Sequence, residues 1–159
     1  MEYGNDADRF PVRKHPRLKA YDYATANYYF VTICTHNKSC IFGSPMNLSP
    51  IGKLAQALLE EIPVHFPGVV MDKYVVMPNH IHGIVILPGN NAKLTTIIGQ
   101  YKAAVTKSVR DIYGDVPLWQ TSFHDHVIRN QKDYERIWTY IEGNPSRWAE
   151  DCFYVSDHG

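Results

Sequence analysis

The 159 residues are 45% hydrophobic and 20% charged, with 16 Lys and Arg against 16 Asp and Glu. This predicts one soluble globular domain with its own core and gives no support to a nucleic-acid partner from net charge. No apolar run approaches the roughly 18 residues of a membrane span, and the polar, acidic start Met1–Asp8 does not read as a signal peptide. Cys34, Cys40 and Cys152 lack metal-like spacing, which suits reduced thiols in a cytoplasm.

Residues 1–26 read as an extended arm, with Pro11 and Pro16 and a basic cluster of Arg9, Arg13, Lys14, Arg17 and Lys19 around His15. The cluster suits phosphate contacts or a merely solvated arm. Residues 28–36 are aromatic and β-branched and predict the first strand. Ser49-Pro50 predicts an N-cap and first-turn proline, opening a helix to about His65 with Ile51, Leu54, Leu58, Leu59 and Ile62 as its stripe. Residues 69–77 and 80–87 predict two further strands, broken by Pro78-Asn79.

A second helix is expected over 95–113, with Ile97, Ile98, Tyr101, Val105 and Ile112 inward. A fourth strand follows at 122–129, then a third helix at 131–144, capped by Asp133 or a neighbour. That helix carries the stripe Tyr134, Ile137, Trp138, Ile141. Gly143 and Pro145 predict fraying at Asn144. The order strand, helix, strand, strand, helix, strand predicts an α+β fold. It is the ferredoxin-like split βαβ arrangement, an antiparallel sheet with helices on one face, with an extra C-terminal helix laid beside it.

In a strand, His80 and His82 point one way and Ile81 the other, so Ile81 can anchor in a core while two imidazoles share a rigid face. Two fixed imidazoles invite a metal ion, although the same pair occurs on surfaces and in satisfied cores. His124-Asp-His126 is a second such pair. Asp125 in its middle does not anchor in a core, so it ranks lower, though it can line the same cleft. Tyr140 lies about 60° from Ile137 on the helical wheel, at the stripe's margin, and Asn144 falls on the same side one turn on. An ordinary border tyrosine and a helix-stopping Asn fit as well.

Three segments occur in order: Pro78-Asn-His-Ile-His-Gly83, Leu118-Trp-Gln-Thr-Ser-Phe-His-Asp-His-Val-Ile-Arg-Asn130 and Tyr140-Ile-Glu-Gly-Asn-Pro145. With Tyr21-Asp-Tyr23, residues 29–37 and residues 101–106, they resemble the REP-associated tyrosine transposases. These are bacterial relatives of single-tyrosine insertion-sequence transposases in the HUH endonuclease superfamily. The resemblance spans about residues 13–148.

The resemblance implies a single transposase-like domain with His80, His82 and Asn144 as metal ligands and Tyr140 as nucleophile. It implies cleavage of single-stranded DNA beside hairpins such as repetitive extragenic palindromes. A 5′-phosphotyrosine would form and a free 3′-hydroxyl would later rejoin strands. Mg²⁺ or Mn²⁺ fits the mixed N and O donors, though imidazoles alone would also suit Zn²⁺, and no Gly-rich phosphate loop calls for a nucleotide cofactor.

It further implies a cytoplasmic, nucleoid-associated bacterial protein, as a monomer or homodimer and with no membrane partner. The expected DNA contacts are Arg13, Lys14, Arg17, Lys19, Arg129 and, at four-residue spacing on the second helix, Lys102 and Arg110 with Thr106 between. Trp119 and Phe123 can stack on bases, but core packing accounts better for both. Two other functions stay open: a non-catalytic binder of structured DNA, and a hydrolase using His80 and His82 with water as nucleophile.

Overall fold

The computed structural model describes residues 27–89 and 93–150. Arg13, Lys14, Arg17 and Lys19, and the expected extended arm, lie outside the described residues. Strand β1 (Asn27–Cys34) leads through a short hairpin, β2 (Gly43–Ser44) and β3 (Asn47–Leu48), to helix α1 (Pro50–Glu60) and the single turn α2 (Ile62–His65). Then come β4 (Val70–Met77), β5 (His80–Leu87), α3 (Leu94–Tyr113), β6 (His124–Ile128), α4 (Gln131–Gly143) and a 3₁₀ segment, Pro145–Glu150. The four long strands form one sheet in the order β4-β5-β1-β6, every neighbouring pair antiparallel. Among the described residues no helix is long and apolar enough to cross a membrane.

Strand alternation divides the core in two. Val31, Ile33, Val76, Ile81, Val85 and Leu87 face α1 and α3, packing with Ala55, Leu59, Ile97, Ile98, Tyr101, Val105 and Val109. The other face carries Tyr28, Ile84, Ile86 and Ile128 and is covered by Tyr134, Ile137, Trp138 and Ile141 of α4. The C-terminal helix therefore does not lie beside the sheet. It caps the face that α1 and α3 leave open, because its apolar stripe has no other surface to bury itself against.

Ser49 caps α1 as expected, its Oγ accepting from Gly52 N at 3.0 Å. The helix does not run unbroken to His65. Glu61 departs to φ −87°, ψ −5°, because Pro63 two residues on cannot donate a helical hydrogen bond and its ring crowds the preceding turn. The hairpin β2–β3 opens with Gly43 at φ +108°, where a Cβ would sit 2.4 Å from Ser49 N. Ile112 is not inward but 67% exposed; the buried stripe of α3 ends with Val109. Trp119 and Phe123 pack against the α1–α3 core. Cys34 is buried and Cys40 partly buried.

Candidate active site

The site is assembled on the α4 face of the sheet. On β5, Ile81 sits in the α1–α3 core, which turns both neighbouring histidines to the opposite face, where they are 0% and 2% exposed. The two rings lie 4.5 Å apart, inclined at 70°.

Each ring is held by its Nδ1. His82 Nδ1 meets Thr32 Oγ1 at 2.9 Å, Thr32 being its register partner on β1. His80 Nδ1 meets Asn79 Oδ1 at 2.8 Å. The Asn79 amide is oriented by its own Nδ2, which donates to Lys38 O at 3.3 Å. Its Oδ1 can only accept, so His80 Nδ1 carries the proton and the lone pair is left on Nε2. Burial, and then the neighbouring His80, hold the His82 imidazole well below its ordinary pKa, and hence neutral. Imidazoles locked through Nδ1, with the Nε2 lone pair left to give, are the form in which histidine binds metals.

Helix α4 brings the tyrosine. It starts at Gln131 and its cap is the neighbour Asn130 and not Asp133 itself: the Asn130 side chain accepts from Asp133 N at 2.8 Å. Its apolar stripe seats it, each fully buried large side chain contributing about 1.5–3 kcal/mol, and polar contacts to β4 fix its register. A bulge between Met71 and Lys73 lets two successive residues reach the helix. Asp72 accepts from the Tyr134 hydroxyl, while Lys73 pairs with Glu142 and lies 4.2 Å over the Trp138 ring.

Tyr140, 39% exposed, then falls with its ring 5.4 Å from that of His82. Phe30 stands between strand and helix, 5.2 Å from the His82 ring and 6.2 Å, edge-on, from Tyr140. Trp148 lies 6.2 Å from the His80 ring.

Asn144 falls midway in sequence between Tyr140 and Trp148. It does not fray: φ −56°, ψ −48° are helical. Pro145 is tolerated because it opens the 3₁₀ segment, where its missing N–H is not needed; Arg147 N closes that turn on Asn144 O at 3.0 Å. The Asn144 side chain is buried, and its Oδ1 has no hydrogen bond. No cluster of three or more His, Cys, Asp or Glu among the described residues can hold a metal. Were Asn144 to join the two histidines, the donors would be two imidazole nitrogens and one amide oxygen that has no hydrogen bond. Such a set fits a divalent ion that draws its remaining oxygens from water or a phosphate.

A cleft beside Tyr140 is lined by Phe30, Thr32, His82, His126, Arg136 and Ile137. His126 of the second histidine pair therefore does reach it, placed by register opposite Phe30, with His124 opposite Thr32. The remaining DNA candidates lie elsewhere. Lys102 is on α3, across the sheet, donating to Gln120 O and Ser122 O at 2.9 Å each; burial lowers its pKa, though Cys34 acts to raise it. Arg110, also on α3, pairs with Asp115 at 3.4 Å. Arg129 is exposed just before α4.

Sequence reasoning missed Thr32, Asn79, Phe30 and Arg136. For Thr32 and Phe30 the only signal was alternation along β1, which becomes informative once the pairing register is known.

No family model matches the chain. An uncharacterised Haemophilus influenzae protein is 34% identical over 168 residues, 90% of this chain and 93% of the relative. A REP-associated tyrosine transposase of Escherichia coli is 33% identical over 89 residues, 55% of this chain and 50% of the relative. Among solved structures, a REP-associated tyrosine transposase bound to a REP hairpin superposes with a TM-score of 0.63 at 25% identity, over 77% of this chain and 68% of that one.

Fold and homology together define a transposase-type α+β domain. More narrowly, the chain belongs to one family with the Haemophilus influenzae protein and is a relative of the REP-associated tyrosine transposases.

Proposed function

We propose that this chain is a metal-dependent single-strand DNA endonuclease and strand transferase of the HUH kind, acting beside hairpins with Tyr140 as nucleophile. The observation that carries the reading is the 5.4 Å approach of the Tyr140 ring to a buried histidine pair whose own rings are 4.5 Å apart. The DNA class comes from the REP hairpin held by the structural relative.

Tyrosine is a weak nucleophile near neutral pH because its pKa is about 10. A divalent ion, Mg²⁺ or Mn²⁺, on His80, His82 and Asn144 would supply Lewis-acid stabilisation of charge on the phosphate oxygens. The chain's own work is positional. Thr32 and Asn79 fix the imidazoles, and the bulge at Asp72 with the Lys73–Glu142 pair sets the helix register. Phe30 braces the phenol ring against the strand. The Tyr140 hydroxyl gives up its proton to water and its oxygen forms a bond to phosphorus as the bond to the 3′ oxygen breaks. That oxygen leaves as a hydroxyl after taking up a proton, and the 5′ phosphate stays on the tyrosine. The phosphotyrosine conserves the phosphodiester's energy, so rejoining requires no nucleotide cofactor.

The test uses labelled single-stranded hairpins from the intergenic repeats of the encoding genome, with Mn²⁺ or Mg²⁺, resolved on a denaturing protein gel. A protein-linked band that needs the metal and vanishes in Tyr140→Phe is expected. Cleavage without an adduct would replace this reading with a water-using hydrolase, and binding without cleavage with a non-catalytic hairpin binder.

A further inference from the structure

One polar cluster in the cleft has no part in the reaction above. Asp133 sits between two cations or potential cations: its Oδ1 is paired with Arg136, and its Oδ2 lies 2.9 Å from His126 Nε2. Hydrogen bonds from His126 and Arg136 outweigh the opposing effect of burial and lower the Asp133 pKa, so this carboxylate is ionised. As an isolated surface ion pair the cluster would matter little. Its place is what matters, since Arg136 and His126 both line the cleft that holds Tyr140.

On α4, Asp133, Arg136, Tyr140 and Asn144 follow one another at helical spacing and form a second, polar stripe bordering the buried one. Arg136 precedes Tyr140 by four residues, about 6 Å along the helix axis. A strand whose scissile phosphate lies at Tyr140 would therefore offer Arg136 a neighbouring phosphate, not the same one. A guanidinium has five N–H donors in a rigid fork, and Asp133 leaves several of them to give. Both side chains remain about half exposed, 52% for Arg136 and 53% for His126, so the cluster is tied down yet open to solvent.

We infer that Arg136 and His126, cross-braced by Asp133, form a binding site for a backbone phosphate flanking the one that Tyr140 attacks. This rests on the nucleic-acid reading of the cleft. The guanidinium supplies a charge-assisted hydrogen bond, His126 walls the site from β6, and Asp133 holds both where a strand running along α4 would meet them.

The experiment is a methylphosphonate scan, in which each phosphate of a hairpin single strand is neutralised in turn. Binding is measured with Mn²⁺ in a Tyr140→Phe background, so that no strand is cut. One flanking position should cost about tenfold in affinity. Arg136→Gln should cost a similar factor, and the two losses should not multiply. Arg136→Gln should also lower the slope of log affinity against log salt by about 0.7, the single-strand value for one phosphate contact. Lys107→Gln removes an exposed charge on α3, across the sheet from the cleft, and should show no coupling at that position. Losses that multiply at every phosphate would overturn the assignment, because a merely structural ion pair has no phosphate to be coupled to. A protein that binds no strand at all would instead overturn the nucleic-acid reading of the cleft.

Discussion

Thr32 and His82 face each other across β1 and β5, and the threonine hydroxyl lies 2.9 Å from the histidine Nδ1 in a fully buried setting. One hydroxyl thus fixes the orientation of one candidate ligand, and its loss has two separable consequences. Thr32→Val keeps the shape and leaves a buried ring nitrogen without its partner, at about 1–3 kcal/mol of stability. Partners of this kind commonly account for about 10–100-fold in metal affinity. Thermal unfolding in EDTA should show the first effect and calorimetric titration with Mn²⁺ the second. A lowered melting temperature with unchanged Mn²⁺ affinity would make Thr32 a packing residue only.

Ile81 is the other half of the same design, 1% exposed on the far face of the strand. Ile81→Ala should cost about 2–5 kcal/mol, the range for truncating a buried aliphatic. Tyr140→Phe, at a half-exposed position, should stay within about 0.5 kcal/mol of wild type. Urea midpoints compare the two directly. A large loss in Tyr140→Phe would show the hydroxyl to be structural and would remove its use as a clean catalytic knockout.

That division of labour on β5 was legible from the sequence, because a period of two leaves no choice about which residues share a face. The Ser49 cap and the buried stripe of α4 were legible for the same kind of reason, each being a local rule with one outcome. What the sequence did not carry was long-range placement. Nothing in residues 131–143 says which face of the sheet α4 covers; that follows from α1 and α3 having already filled the other. The tie of His126 to Asp133 depends on β6 pairing with β1 in one register, and the contact of Asp72 with Tyr134 depends on a bulge. Pro145 misled by its ordinary preference, since the chain there starts a new turn and does not unwind.

Asp72 makes the fold's pH response testable. Burial raises its pKa above the ordinary 3.8, against the opposing pull of the Tyr134 hydrogen bond and of Lys73. The folded state then holds this proton more tightly than the unfolded chain. Its contribution is fully present below 3.8 and is lost as pH rises through the folded value. Asp72→Asn keeps an acceptor for Tyr134 without the titration. The melting temperature of wild type relative to Asp72→Asn should therefore rise as pH falls from 7 towards 4. A constant or falling difference would mean that Tyr134 and Lys73, not burial, govern this carboxyl.

Asn144 offers the sharpest separation of a ligand from a structural residue. Its buried Oδ1 makes no hydrogen bond, so without metal the amide oxygen is a liability in a buried setting, where an unsatisfied polar atom costs about 1–3 kcal/mol. Asn144→Leu keeps the volume and removes that atom, and in EDTA it should melt at or above the wild-type temperature. Mn²⁺ at about 100 times its dissociation constant stabilises a binding-competent fold by about 2.7 kcal/mol, and this gain should appear in wild type and shrink or vanish in the variant. The order of the two proteins would thus invert between EDTA and Mn²⁺. A variant that is less stable in EDTA and still gains the full Mn²⁺ increment would place Asn144 outside the metal's reach and leave the two histidines to bind it alone.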